Sequence, residues 1–136
     1  MMSVIIEVSC FMSMSSEGMN VIIDSDNIEK LSAVAKRSKS VILACGNPGE
    51  NFLLYKMAFK YAKELFDFKS CKVSGEVIER TTENNLFTYP NPGMLELAFL
   101  HMSLPKYEIA FIGCKNAHRQ AASNAGCHYI DVSEIS

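Results

Sequence analysis

The chain has 136 residues, 49% of them hydrophobic and 21% charged, with a net charge of −2. So small a charge gives no broad field for nucleic acid or an anionic membrane, and no apolar run approaches the ~18 residues of a membrane span. One soluble, cytoplasmic domain spanning 1–136 is the expectation, since a chain of this length can bury a sizeable core unaided.

Ser3 to Ser9 is rich in β-branched residues and apolar on successive positions, which predicts a central strand covered on both faces. The apolar start, Met1 to Met14, lacks the basic segment of a signal peptide and carries Glu7 in its middle, so the strand reading holds. Cys10 to Gly18 reads as a loop or flap, and Met19 to Ile23 as a short extended piece. A helix follows, with Asp26 and Glu29 spaced as a capping box and Ile28, Leu31, Val34 and Ala35 on one face. Ser40 to Cys45 is a second buried strand, stopped by the turn Gly46-Asn47-Pro48-Gly49. Glu50 to Phe66 is predicted helical, with Leu54, Met57, Ala58, Tyr61, Ala62 and Leu65 as its core stripe. Phe68 to Val73 offers a third strand, and Gly75 to Asn85 a polar surface loop.

Asn91-Pro92-Gly93 opens a helix over Met94 to Met102. Tyr107 to Gly113 is a fourth strand, Asn116 to Ala125 the last helix, ended by Gly126, and Tyr129 to Val132 a fifth, edge strand. Strands alternating with helices predict an α/β, three-layer, Rossmann-like fold around a mostly parallel five-stranded sheet. Five cysteines, Cys10, Cys45, Cys71, Cys114 and Cys127, form an odd set without Cys-x-x-Cys spacing. That argues for reduced thiols rather than a disulfide framework or a zinc finger.

In an open α/β sheet, ligands bind where strands give way to helices. The junction running from Phe111 through Gly113 to Cys127 is such a place, yet it offers Cys114 and His118 where acidic residues would suit a metal. Tyr89-Pro90-Asn91-Pro92-Gly93-Met94-Leu95, then Phe111-Ile112-Gly113, Ala121-Ala122 and Ala125-Gly126-Cys127, resemble the haloacid dehalogenase (HAD) superfamily of phosphatases. The similarity is to the small branch without a cap domain, which includes histidinol-phosphate, heptose-bisphosphate and polynucleotide 3′-phosphatases.

The resemblance implies four motifs at the carboxyl ends of the strands. The first supplies a nucleophilic aspartate and, two residues on, an acid/base aspartate; Glu7 and Ser9 stand there in this chain. A glutamate is one methylene longer, enough to shift the attacking oxygen by the ~1 Å that costs 10²-fold. Ala44 and Cys45 fill the places of the second motif's phosphate-contacting hydroxyl and its neighbour, and Tyr89 that of the third motif's lysine. The fourth motif holds Mg²⁺ through acidic groups; here it reads Gly113-Cys114-Lys115-Asn116-Ala117-His118. Asp24-Ser25-Asp26 superficially imitates the first motif, but only one helix fits between it and Ala44, which assigns these aspartates to the start of that helix.

With those positions changed, the resemblance implies no metal site and no cofactor, the family's Mg²⁺ included. The leading expectation is then a catalytically inactive pseudophosphatase, not an enzyme. It would act as a protein-interaction or structural module in a larger assembly or as a homo-oligomer. One alternative is a divergent phosphatase or a binder of phosphorylated ligands. Backbone N–H groups after Cys45, at Gly46 and Asn47, and after Gly113 would then cradle the anion, with Lys115 or Arg119 adding charge. A second alternative is a soft-metal site, with Cys45, Cys114 and His118, joined by Glu7, holding Zn²⁺.

Overall fold

The structure is a computed structural model that describes residues 2–14, 20–45, 52–68, 73, 75–78 and 86–135. In chain order these form β1 (Ser3–Glu7), β2 (Met12–Met14), β3 (Val21–Ile23), α1 (Ser25–Lys36), β4 (Val41–Cys45), α2 (Phe52–Phe68), β5 (Gly75–Ile78), α3 (Gly93–Met102), β6 (Ile109–Gly113), α4 (Asn116–Ala125) and β7 (His128–Asp131). Five strands pair in parallel in the order β5-β4-β1-β6-β7, while β2 and β3 form an antiparallel hairpin between β1 and α1. The α/β, three-layer sheet expected from the alternation of elements is therefore present.

Strand alternation divides the core. Val4, Ile6, Leu43, Ala110 and Ile112 face a layer containing Ile28, Leu31, Phe59, Ala62 and Phe66 of α1 and α2. Ile5, Ile42, Ala44, Ile109 and Phe111 face Met94, Leu95, Ala98, Ala121 and Ala122 of α3 and α4. Both faces of β1 are covered, which is why its residues read as continuously apolar. Successive side chains point to opposite faces, so Glu7 follows Ile5 toward α3 and α4, whereas Val8 and Cys10 pack with the α1/α2 layer.

Three local expectations need correction. The N-cap of α1 is Asp24, whose carboxylate accepts from the Asn27 N–H at 3.0 Å, so the cap lies two residues ahead of Asp26. In α2 the buried stripe is Phe59, Ala62 and Phe66, while Met57 and Tyr61 are 72% and 53% exposed. Ala62 of the expected stripe is buried and Leu65 packs against the core, the side chains of Leu54 and Ala58 lie outside the described residues, and Met57 and Tyr61 are misplaced because the helix is apolar on most of its circumference. The strand next to β4 is Gly75–Ile78 rather than Phe68 to Val73, because α2 runs on to Phe68. The turn at 46–49 lies outside the described residues. No described helix is long and apolar enough to cross a membrane.

Candidate active site at the carboxyl edge of the sheet

β1 ends at Glu7, level with Ala44 of β4, and the residue is only 3% exposed. A buried carboxyl needs donors. The Tyr89 hydroxyl donates to Oε2 at 2.6 Å, and the Ser9 hydroxyl to Oε1 at 3.3 Å. Burial pushes the Glu7 pKa up, against the opposing pull of His118, the Tyr89 hydroxyl and the Ser9 backbone. Burial and the neighbouring carboxylate push Tyr89 well up too, so the phenol stays protonated as a donor. Its ring lies edge-on to His118, with centroids 4.9 Å apart, and tilted against Phe111 at 5.7 Å.

The β6–α4 junction is closed by His118. A Cβ at Gly113 would lie 2.6 Å from the His118 Cβ, so only glycine lets the imidazole settle on the turn. His118 Nδ1 accepts from the Cys114 N–H at 3.0 Å and the Lys115 N–H at 3.3 Å, which leaves its ring proton on Nε2. At 3% exposure it is no solvated helix residue; it caps α4 from the third helical position. The anion cradle expected after Gly113 is therefore taken, because the imidazole uses those N–H groups.

Glu7, Ser9, Cys45, Tyr89, Lys115 and His118 share a cavity of about 90 Å³. At about 30 Å³ per water in the liquid, that is room for a few waters or one small oxyanion. Ala44 is wholly buried in the α3/α4 layer, and Cys45 is buried at the end of β4. Arg119 turns away: its guanidinium pairs with Glu134 at 3.4 Å and lies 4.6 Å from the Tyr129 ring centroid. Gly46 and Asn47 lie outside the described residues. Cys114 is half-buried on the opposite side of the β1 terminus, its sulfur 3.5 Å from the Ser9 hydroxyl.

One residue named from the sequence has a role that its motif position did not suggest, and one contributor was missed. Tyr89 stands where a lysine was looked for, yet acts as a donor that the longer reach of a glutamate can meet. Cys10 lines a second cavity, of about 380 Å³, with Ser9 and Cys114. Its place just past the end of a central strand was the available signal.

The donors present do not fit Mg²⁺. That ion demands about six hard oxygens in octahedral geometry, whereas the cavity offers one carboxyl group, two hydroxyls already hydrogen-bonded to it, a cysteine, a lysine and an imidazole whose Nδ1 accepts from the backbone. The zinc expectation is not met either: among the described residues no three His, Cys, Asp or Glu converge as a metal-binding group, and His118 has spent Nδ1 on the backbone.

No family model matches this chain, and no curated protein matches it. Solved structures do. D,D-heptose 1,7-bisphosphate phosphatase from B. bronchiseptica, complexed with magnesium and phosphate, superposes with a TM-score of 0.73 at 14% identity, over 95% of this chain and 79% of that one. A protein of Mesorhizobium loti assigned as a HAD-like phosphatase gives 0.69 at 15%, over 93% and 69%. An uncharacterised protein of Listeria monocytogenes serotype 4b gives 0.74 at 12%, over 96% and 78%.

The architecture is a three-layer α/β fold built on a parallel sheet. More narrowly, the chain has the HAD phosphatase fold, and among the described residues no cap domain is present, only the β2–β3 hairpin. The expectation that this chain is not an enzyme is corrected by the same finding. Two of the three structures that share its fold carry the name of a phosphatase, so loss of activity does not follow from the fold.

Proposed function

We propose that this chain is a divergent hydrolase of the HAD fold that acts on a small phosphorylated molecule at the carboxyl end of β1, with Glu7 as the reacting carboxyl group. Glu7 carries the reading: it is buried at the end of the central strand, clamped by Tyr89 at 2.6 Å, and open to a cavity shared with Lys115. As a carboxylate it can attack phosphorus, forming an Oε–P bond as the ester oxygen departs; water then hydrolyses the acyl phosphate. Tyr89 fixes the carboxyl group, and the Lys115 ammonium offsets charge on the phosphoryl oxygens. The fold shared with a heptose bisphosphate phosphatase supports a phosphorylated ligand.

The test offers purified protein p-nitrophenyl phosphate and a panel of sugar phosphates, in magnesium and in EDTA. Phosphate release by the wild type that disappears in Glu7→Gln supports the reading. No release from any substrate in either arm, or full release by Glu7→Gln, overturns it.

A protein contact is a second reading, favoured by the exposed ridge Leu53, Met57 and Tyr61 on α2, spaced to lie along one side of the helix. Concentration-dependent association in sedimentation, lost in Met57→Lys, would support it.

A further inference from the structure

The thiols on the other side of the β1 terminus are not used by this carboxyl chemistry. β1 and β6 are parallel neighbours with Ile6 level with Ile112, so the segments leaving them run side by side. Cys10 sits in the turn after β1, and its thiol reaches the Ile112 carbonyl at 3.6 Å. Cys114 comes two residues beyond Ile112, and the hydrogen bond between the two thiols is the largest influence on the acidity of each. Cys10 is 3% exposed, whereas Cys114 is half-buried and faces the 380 Å³ cavity, where a small solute can meet it.

The environment divides the labour between the two sulfurs. The Cys10 neighbour is the largest influence drawing the Cys114 thiol down, against burial, with His118 and Ser9 adding to it, while the same partner and burial raise Cys10. An accessible, activated thiolate beside a protected thiol is the pairing that oxidation chemistry needs. Cys127, by contrast, is pushed up to about 11 by burial.

We propose that Cys10 and Cys114 form a redox-active dithiol in which Cys114 reacts with a peroxide and Cys10 closes the product to an intramolecular disulfide. The Cys114 thiolate attacks one oxygen of hydrogen peroxide; the O–O bond breaks, hydroxide leaves and takes up a proton, and a sulfenic acid remains. The Cys10 sulfur then attacks the Cys114 sulfur, the S–O bond breaks, and a second water leaves with the Cys10 proton. Two thiols lose two electrons in all, and one peroxide becomes two waters. A disulfide bond is about 2.05 Å long, and the two thiols that would form it line one cavity at adjacent strand ends. This chemistry is independent of the hydrolase reading and is read without a substrate.

The test treats the reduced full chain with one equivalent of hydrogen peroxide, alkylates the remaining thiols and maps peptides by mass spectrometry. The expected result is loss of two thiols with a Cys10–Cys114 cross-link, and none in Cys114→Ser. Cys10→Ser should stop at a sulfenic acid on Cys114 that dimedone traps. Should that buried substitution unfold the chain, the wild type still decides. At pH 6, iodoacetamide should label Cys114 at least about 10-fold faster than Cys127. A cross-link between other cysteines, no thiol loss, or equal labelling of Cys114 and Cys127 overturns the proposal.

Discussion

The two faces of the sheet meet at the end of β1 and treat ionisable groups in opposite ways. Toward α3 and α4, Glu7 lies in a cavity of about 90 Å³, and burial biases it toward the neutral acid. Toward α1 and α2, Cys114 borders a cavity of about 380 Å³, and hydrogen bonds bias it toward the thiolate. Burial opposes charge on both sides; what differs is the supply of donors to an anion. Ser9 stands between them, 3.3 Å from Glu7 and 3.5 Å from Cys114, with a single hydroxyl proton to give. When Glu7 is neutral that proton is available to the thiolate, so the charge state on one face is felt on the other.

The strongest way to separate the faces is Glu7→Gln. The amide keeps an oxygen for Tyr89 but cannot attack phosphorus, so phosphate release should fall by about 10³-fold or more while peroxide oxidation of Cys114 persists. The wild-type profile should carry the matching signature: kcat/KM falls on the acid side of a carboxyl pKa displaced above 4.5, since only the carboxylate attacks. Phe11→Ala strikes the other face. Phe11 is 1% exposed, meets Phe66 edge-on at 5.5 Å and walls the larger cavity. Its loss should cost about 3–5 kcal/mol in urea unfolding, with turnover by the folded fraction unchanged.

How legible each face was in the sequence follows from the same physics. β1, β4 and β6 announced themselves because strands covered on both sides are continuously apolar, and Gly126, at φ 80°, marked the end of α4. β5 did not: Gly-Glu-Val-Ile at the sheet edge carries too short an apolar pattern, and the more β-like Phe68 belongs to a helix set by Phe59, Ala62 and Phe66. Strand-end reasoning brought Glu7, Cys45, Cys114 and His118 to one edge, but not what each does there. Whether His118 faces solvent or caps its own helix depends on a turn conformation that spacing does not encode. The Ser9–Cys114 contact joins residues 105 apart, beyond the reach of any local pattern.

Tyr89→Phe tests the Glu7 face more gently. Removing the 2.6 Å donor from a buried carboxyl should cost about 1–3 kcal/mol. It should also raise the Glu7 pKa further, moving the acid limb of the rate profile upward, while oxidation still yields the Cys10–Cys114 cross-link. A fall in Cys114 labelling as large as the fall in turnover would mean that the two faces are one site.

The smallest effect is the most direct reading of the contrast, because the faces should give stability opposite slopes with pH. Glu7 holds its proton above the ordinary 4.5, so the native state binds more protons than the unfolded chain over that window. Its contribution is complete below pH 4.5 and is lost as pH rises through the raised pKa. Cys114 is drawn from 9.0 down to about 4, so there the native state binds fewer protons. Its contribution is complete above pH 9.0 and is lost as pH falls through about 4, with a shallow slope because the thiol is half-exposed. Cys10, raised above 9.0, is silent in this range. Urea midpoints should therefore climb more steeply with pH in Glu7→Gln than in the wild type, and decline with pH in Cys114→Ser until the raised Glu7 pKa is passed. If both variants instead run parallel to the wild type from pH 4 to 9, neither group is perturbed by folding, and the opposition between the faces reduces to geometry alone.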